Sequence, residues 1–110
     1  MMRVSLAIVQ HLGEVSYFRL TKLAYLVDFW SLRSLGRQLT GEVFLRKADG
    51  PWSPALPQAT RDMSGHELAV RRLNGITTVF QLGEQHRFEP ELSSEEAGAV
   101  AEVVRKYGHL

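Results

Sequence analysis

No cysteine occurs in the 110 residues. This excludes a disulfide scaffold, thiol catalysis and a cysteine-based zinc site, and it fits a reducing cytoplasm. Histidine is scarce too: His11, His66, His86 and His109 are scattered, with no two at a ligand spacing on one helix face. His66-Glu67 approaches a zinc-protease helix, but Val70 stands where the second histidine belongs. No metal site is expected. There is no Gly-x-Ser-x-Gly elbow and no Gly-rich loop before a Lys-Ser or Lys-Thr pair, so hydrolase and nucleotide-binding readings lack a motif. Neither sign of charge dominates. Thirteen Lys and Arg against twelve Asp and Glu leave +1, too little for a general attraction to phosphate backbones or anionic lipid. The N-terminus has no h-region and no small-residue cleavage site, so secretion is not expected. The longest apolar tract, Tyr17 to Leu35, is broken by Arg19, Lys22, Asp28 and Arg33. Each would cost ~2.5–3.5 kcal/mol at a bilayer centre, so the tract is a core helix and no membrane span.

What remains is a composition, 45% hydrophobic and 23% charged, that folds around one core, in a chain too short to divide into two ordinary domains. Val4, Leu6, Ala7, Ile8 and Leu12 before Gly13 suit a short amphipathic helix over Arg3 to Leu12. Ser16 caps a second helix that Gly36 ends. Along it, Leu20, Leu23, Ala24, Val27 and Trp30 form one apolar stripe, while Phe18, Tyr25, Phe29 and Leu32 form another on the opposite side. A helix apolar on two faces is expected to be covered on both, which makes 16–35 the central buried element. Gln38 to Lys47 turns to β-formers, an extended arm or short strand, before the turn Ala48-Asp49-Gly50-Pro51. Ser53-Pro54 signals another helix start, with Pro57 leaving its first turn open to displacement. Gly75 to Leu82 is the best strand, and Gly83-Glu84-Gln85 offers a turn into His86 to Glu89, giving an expected hairpin over about 76–89. Ser93 with Glu96 forms a capping box. Ala97, Val100, Val104 and Tyr107 then make the stripe of a last helix, weakened at Gly98 by roughly 1 kcal/mol and closed by Gly108. The expected fold class is α+β: one mainly helical domain with a small hairpin.

Few residues are left to carry chemistry. Asp28 is the one carboxylate inside the most apolar helix. Desolvation there could equip it as an acid or base, but a structural role is the better reading. Lys22 and Asp28 lie about 120° apart at 100° per residue, so direct pairing is not expected. The aromatics Tyr17, Phe18, Tyr25, Phe29 and Trp30 fit a core stripe better than a ligand box. Trp52 lies in the turn region, where its ring is either a wedge into the core or an exposed interface anchor. Arg46-Lys47 and Arg71-Arg72 form two basic clusters, each either a solvated face or a patch for an acidic partner or phosphate backbone.

The string Leu20-Thr21-Lys22-Leu23-Ala24-Tyr25-Leu26-Val27-Asp28 resembles the signature helix of the Panacea domain, the SocA-like antitoxin family of toxin–antitoxin systems. Leu35-Gly36-Arg37-Gln38-Leu39 is similar to that family's Gly-Arg-x-Leu segment. Gly50-Pro51 leading into Ser53-Pro54-Ala55-Leu56, and Leu92 to Glu96 followed by Val100, Val103-Val104 and Tyr107-Gly108, continue the likeness over nearly the whole chain. The family-motif positions are thus Lys22, Leu23, Tyr25, Leu26, Asp28, Gly36, Gly50 and Pro51. Trp52 departs from the smaller apolar residue more usual after Gly-Pro, and the sequence ends at Leu110, before the His and Pro-Trp segment of many members. The resemblance implies a single Panacea-like domain over 1–110, bacterial or phage-associated and cytoplasmic, that neutralises a cognate toxin by direct contact. It also implies a role, seen in some relatives, as an adaptor presenting the toxin to a protease complex. It implies no cofactor and no catalytic residues. Candidate partner contacts are Arg46, Lys47, Trp52, Arg71 and Arg72. The rival reading is a winged-helix-like DNA-binding regulatory domain, because two N-terminal helices, a third helix and a late hairpin can be so arranged; the balanced charge argues against it. A small enzyme built on Asp28 is a third, weaker rival.

Overall fold

The computed structural model describes residues 1–48, 50–65, 68–81 and 91–108. Helix α1 (Met2–Leu12) leads through strand β1 (Glu14–Ser16) into α2 (Tyr17–Ser34). A two-stranded ribbon, β2 (Leu45–Lys47) and β3 (Gly50–Trp52), precedes α3 (Ala55–Met63). Strands β4 (Leu68–Leu73) and β5 (Ile76–Gln81) and helix α4 (Ser94–Tyr107) complete an α+β domain.

Local chemistry sets the helix ends. Ser16 Oγ accepts the Arg19 N–H at 3.2 Å and caps α2, and at the other end the Leu35 N–H closes on the Ser31 carbonyl at 2.7 Å. Gly36 follows at φ 78°, a conformation that costs a residue with a Cβ about 1–2 kcal/mol. The Ser93–Glu96 capping box forms as expected, the Ser93 N–H donating to Glu96 Oε1 at 2.9 Å and the Glu96 N–H to Ser93 Oγ at 3.2 Å. Helix α3 starts at Ala55, with the Ala55 N–H on Ser53 Oγ at 3.2 Å. Pro57 therefore falls in the first turn, where a missing N–H sacrifices no intrahelical bond, and the start is not displaced.

In the three-stranded antiparallel sheet, β5 lies between β1 and β4. Val15 and Val70 pair with Val79 from either side, and Val15 and Val79 are buried. The expected strand over 76–81 is present, but its hairpin partner is the preceding segment. Leu73 pairs with Ile76 across Asn74-Gly75, both at positive φ (52° and 78°), the turn whose twist matches that of the strands it joins. Both edges of β5 are occupied from Thr78 to Phe80. The other proposed arm, His86 to Glu89, lies outside the described residues. With β2–β3 set aside, the order α1, β1, α2, α3, β4, β5 with β5 central is that of a winged-helix arrangement.

The core contains Val4, Ile8 and Val9 of α1, Leu20, Leu23 and Val27 of α2, Leu56 and Met63 of α3, and Val100 and Val103 of α4. Each such side chain contributes about 1.5–3 kcal/mol by leaving water. Helix α1 is the element covered on every side, every residue from Val4 to Val9 being buried. Helix α2 packs against α1, α4, β1, β3 and β5, yet only its first stripe is covered. Phe18 (53% exposed), Tyr25 (38%), Phe29 (48%) and Leu32 (53%) face outward, which corrects the expectation that both faces are enclosed. In α4 the buried positions are Ala99, Val100, Val103 and Val104, whereas Ala97 and Tyr107 of the expected stripe are exposed.

Candidate functional site

The N-terminal turn of α2, the β2–β3 ribbon and the tip of the β4–β5 hairpin enclose a groove of about 680 Å³. Phe18, Trp52 and Ile76 supply its apolar walls, Lys47 its cation, and Gly50-Pro51 its edge. Trp52 lies in strand β3, paired with Leu45, rather than in a turn, and is neither fully buried nor free. The Lys47 ammonium rests 5.4 Å from its ring centroid, a cation–π contact worth about 0.5–1 kcal/mol where water has access. Ile76, at the hairpin tip, is 59% exposed, so groove and tip form one apolar surface with a positive rim.

Tyr17 forms part of the floor. Burial pushes its hydroxyl above the usual tyrosine range, while the Thr60 hydroxyl and the Arg61 guanidinium pull it the other way. The hydroxyl oxygen itself is buried, so Tyr17 meets the groove with its ring.

The other candidate contacts divide between this groove and its surroundings. Arg46 lines a neighbouring depression with Tyr25 and Phe44, whose rings meet edge to face at 5.5 Å. Arg71 and Arg72 are exposed on β4. Arg72 pairs with Thr77, a groove residue, and Arg71 lies 5.6 Å from the Phe80 ring. Sequence reasoning did not foresee Phe18 and Ile76 as surface residues. Their apolar character suggested core, and only the path of the chain puts them outside.

The family-motif residues serve the frame and the surface in turn. Leu23 is buried. Asp28 is 2% exposed and its Oδ1 accepts the N–H groups of Leu39 and Thr40, each at 2.9 Å, while its Oδ2 accepts the Thr40 hydroxyl. This pins the segment after α2 and so fixes where the β2–β3 ribbon emerges. Lys22, as expected, does not pair with Asp28; its ammonium lies 5.7 Å from the Phe18 ring. Among the described residues, no group of three or more His, Asp or Glu is placed to hold a metal ion, and no helix is long and apolar enough to cross a membrane.

The Asp28 carboxylate is taken up by backbone and hydroxyl donors, and the groove lined by Trp52 has an aromatic wall and a cationic rim. The family model for the antitoxin SocA-like Panacea domain matches residues 20–110, and the chain belongs to that family. No curated protein and no solved structure matches it significantly.

Proposed function

We propose that this domain is an antitoxin module that neutralises a cognate protein toxin by direct contact, and that the groove between α2, the β2–β3 ribbon and the hairpin tip is the contact face. Membership of an antitoxin family supports the general role. The observation that carries the face is Trp52, a half-buried aromatic under Lys47 at the edge of a groove bounded by exposed Phe18 and Ile76. Aromatic anchors in pockets dominate protein interfaces, and cations at the rim steer an acidic partner. Lys47 and Trp52 would be central contacts, with Arg46, Arg71 and Arg72 around them. An additional role as an adaptor presenting the toxin to a protease rests on the family resemblance alone, and would appear as a shorter toxin half-life in the presence of the domain.

The test is co-expression with the product of the neighbouring reading frame. Wild type should restore growth, and Trp52→Ala or Ile76→Glu, if still folded by circular dichroism, should not. A neighbouring product that is harmless alone, or one that stays lethal beside this protein, would remove the antitoxin reading.

The winged-helix strand and helix order favours a second reading, duplex DNA binding through α3 and the β4–β5 hairpin. Chemistry counts against it. On α3 the exposed Arg61 is engaged by Gln58 at 3.0 Å, and Gln58 also donates to Asp62 at 2.7 Å. The outer surface is thus a self-satisfied, charge-balanced cluster. Salt-sensitive binding to duplex DNA, lost in Arg71→Ala/Arg72→Ala, would favour this reading.

A further inference from the structure

Beyond the proposed contact groove, on the other flank of the α2 ridge, two depressions of about 370 and 470 Å³ run end to end between α2 and α4. They share Leu26 and Tyr107, so they form one channel along the helix. Phe18 closes the first and Phe29 and Trp30 wall the second. At 1.5 Å per residue, a channel from Phe18 to Ser34 is about 24 Å long, the length of a four- to five-turn helix.

The uncompensated charge along this channel is positive: on the α4 side Lys106, 4.3 Å from the Trp30 ring centroid, is paired with Glu102 at 3.8 Å. Helix α2 carries Arg19, Lys22 and Arg33 and one carboxylate, Asp28, which is buried and turned to the Leu39–Thr40 backbone. Among the described residues no carboxylate lines either depression. Arg19 is committed to the Gly108 carbonyl. Lys22 and Arg33 form no ion pair among the described residues; each rests over a ring of the exposed stripe, Lys22 at 5.7 Å from Phe18 and Arg33 at 5.6 Å from Phe29. Two free cations thus sit about 16 Å apart along an apolar channel.

We infer that the α2–α4 channel docks an acidic amphipathic helix of a partner protein, its apolar stripe on Leu26, Phe29 and Tyr107 and its carboxylates on Lys22 and Arg33. Helix-in-groove recognition lays the apolar face of an amphipathic helix on an apolar floor, and charges flanking the floor select the partner and its orientation. A second copy of the chain offers no such helix among its described elements. On α4, Glu96 and Glu102 are engaged by Arg37 and by Arg105 and Lys106, and Ala99, Val100, Val103 and Val104 of that helix are in the core. The inference concerns a surface that shares Phe18 alone with the Trp52 groove and does not require that the partner be a toxin.

The test uses the full chain carrying Trp52→Phe, which leaves Trp30 in the channel as the sole tryptophan reporter. It is titrated with a synthetic helical peptide bearing a leucine stripe and two glutamates spaced as Lys22 and Arg33 are, and with the same peptide carrying lysine in place of glutamate. The acidic peptide should shift Trp30 emission and bind about tenfold more tightly than the basic one, with the preference shrinking as salt rises. Lys22→Glu/Arg33→Glu should reverse the preference. Equal affinity for the two peptides, no change in the double variant, or tighter binding to duplex DNA or anionic vesicles than to the acidic peptide would overturn the inference. Growth rescue beside the neighbouring gene product is scored separately, so the channel and the antitoxin reading can fail independently.

Discussion

Asp28 and Thr40 hold each other twice. The carboxylate accepts the Thr40 N–H at 2.9 Å and also the Thr40 hydroxyl, and that hydroxyl in turn accepts the Glu42 N–H at 3.1 Å. One acidic side chain on α2 thereby replaces the backbone partners that an irregular segment cannot supply to itself, and both residues are buried. Asp28→Ala strands the N–H groups of Leu39 and Thr40, and is expected to cost about 3 kcal/mol. Asp28→Asn keeps an oxygen for them and can donate to Thr40 Oγ, and should cost only about 1 kcal/mol. Urea unfolding measures both. A folded Asp28→Asn protein that retains full neutralising activity would dispose of acid–base chemistry at this position.

Glu96 links stability to pH. Its carboxyl is held below the usual range chiefly by the Ser93 N–H, with the charges of Arg3 and Arg37 adding to the effect. A carboxyl whose pKa is lowered by folding binds fewer protons folded than unfolded. Its contribution is therefore complete above the unfolded value, near 4.3, and fades as pH falls through the lower folded value. Glu96→Gln can still accept the Ser93 N–H but cannot titrate. Melting temperature followed downward from about pH 5 should fall more steeply for wild type than for this variant. Parallel curves would show that the capping box works without its charge.

The hairpin tip depends on backbone conformation. Gly75 has φ 78°, and a Cβ there would meet nothing within 4 Å, so a substitution is penalised by the left-handed backbone and not by crowding. Gly75→Ala should cost about 1–2 kcal/mol, and Gly75→Asn less, since a short polar side chain tolerates that region better. Thermal unfolding distinguishes the two. Because Gly75 and Ile76 both line the groove, Gly75→Ala should also weaken whatever neutralising activity depends on the proposed contact face.

Signals confined to one segment were legible in the sequence: the Ser16 and Ser93 caps, the ends at Gly13 and Gly36, and the strand expected over 75–82, which forms as Ile76–Gln81; Gly50 and Pro51, expected in a turn, instead begin strand β3. What stayed hidden depends on partners distant along the chain. The sequence offers two turns beside β5, Asn74-Gly75 and Gly83-Glu84-Gln85, and the pairing of β5 with β4 uses the first. Arg71 and Arg72, a charged pair with no local strand signal, belong to β4 through their partners Thr78 and Thr77. Two apolar stripes on α2 say that both would gain by burial, but not whether enough of the molecule exists to cover both. Here α1 and α4 take the first stripe and leave the second to solvent. The Trp52 groove likewise needs three separated segments to converge, which no local pattern records.

The two stripes of α2 make a direct comparison within one helix. Leu23 is 3% exposed and Leu32 is 53% exposed, although their side chains are identical. Leu23→Ala removes a packed side chain and leaves a cavity, and should cost about 2–5 kcal/mol. Leu32→Ala creates no cavity, loses only partial burial, and gains the slightly better helix former, so a change within about 0.5 kcal/mol is expected. Denaturant midpoints of the two variants at equal m-value measure the difference. Equal losses would mean that the outer stripe is covered in solution, by a second copy or by the chain itself, and concentration dependence of the midpoint would separate these cases. Unequal losses, with Leu32→Ala near wild type, would establish that the aromatic face of α2 contributes little to folding and is open to a partner.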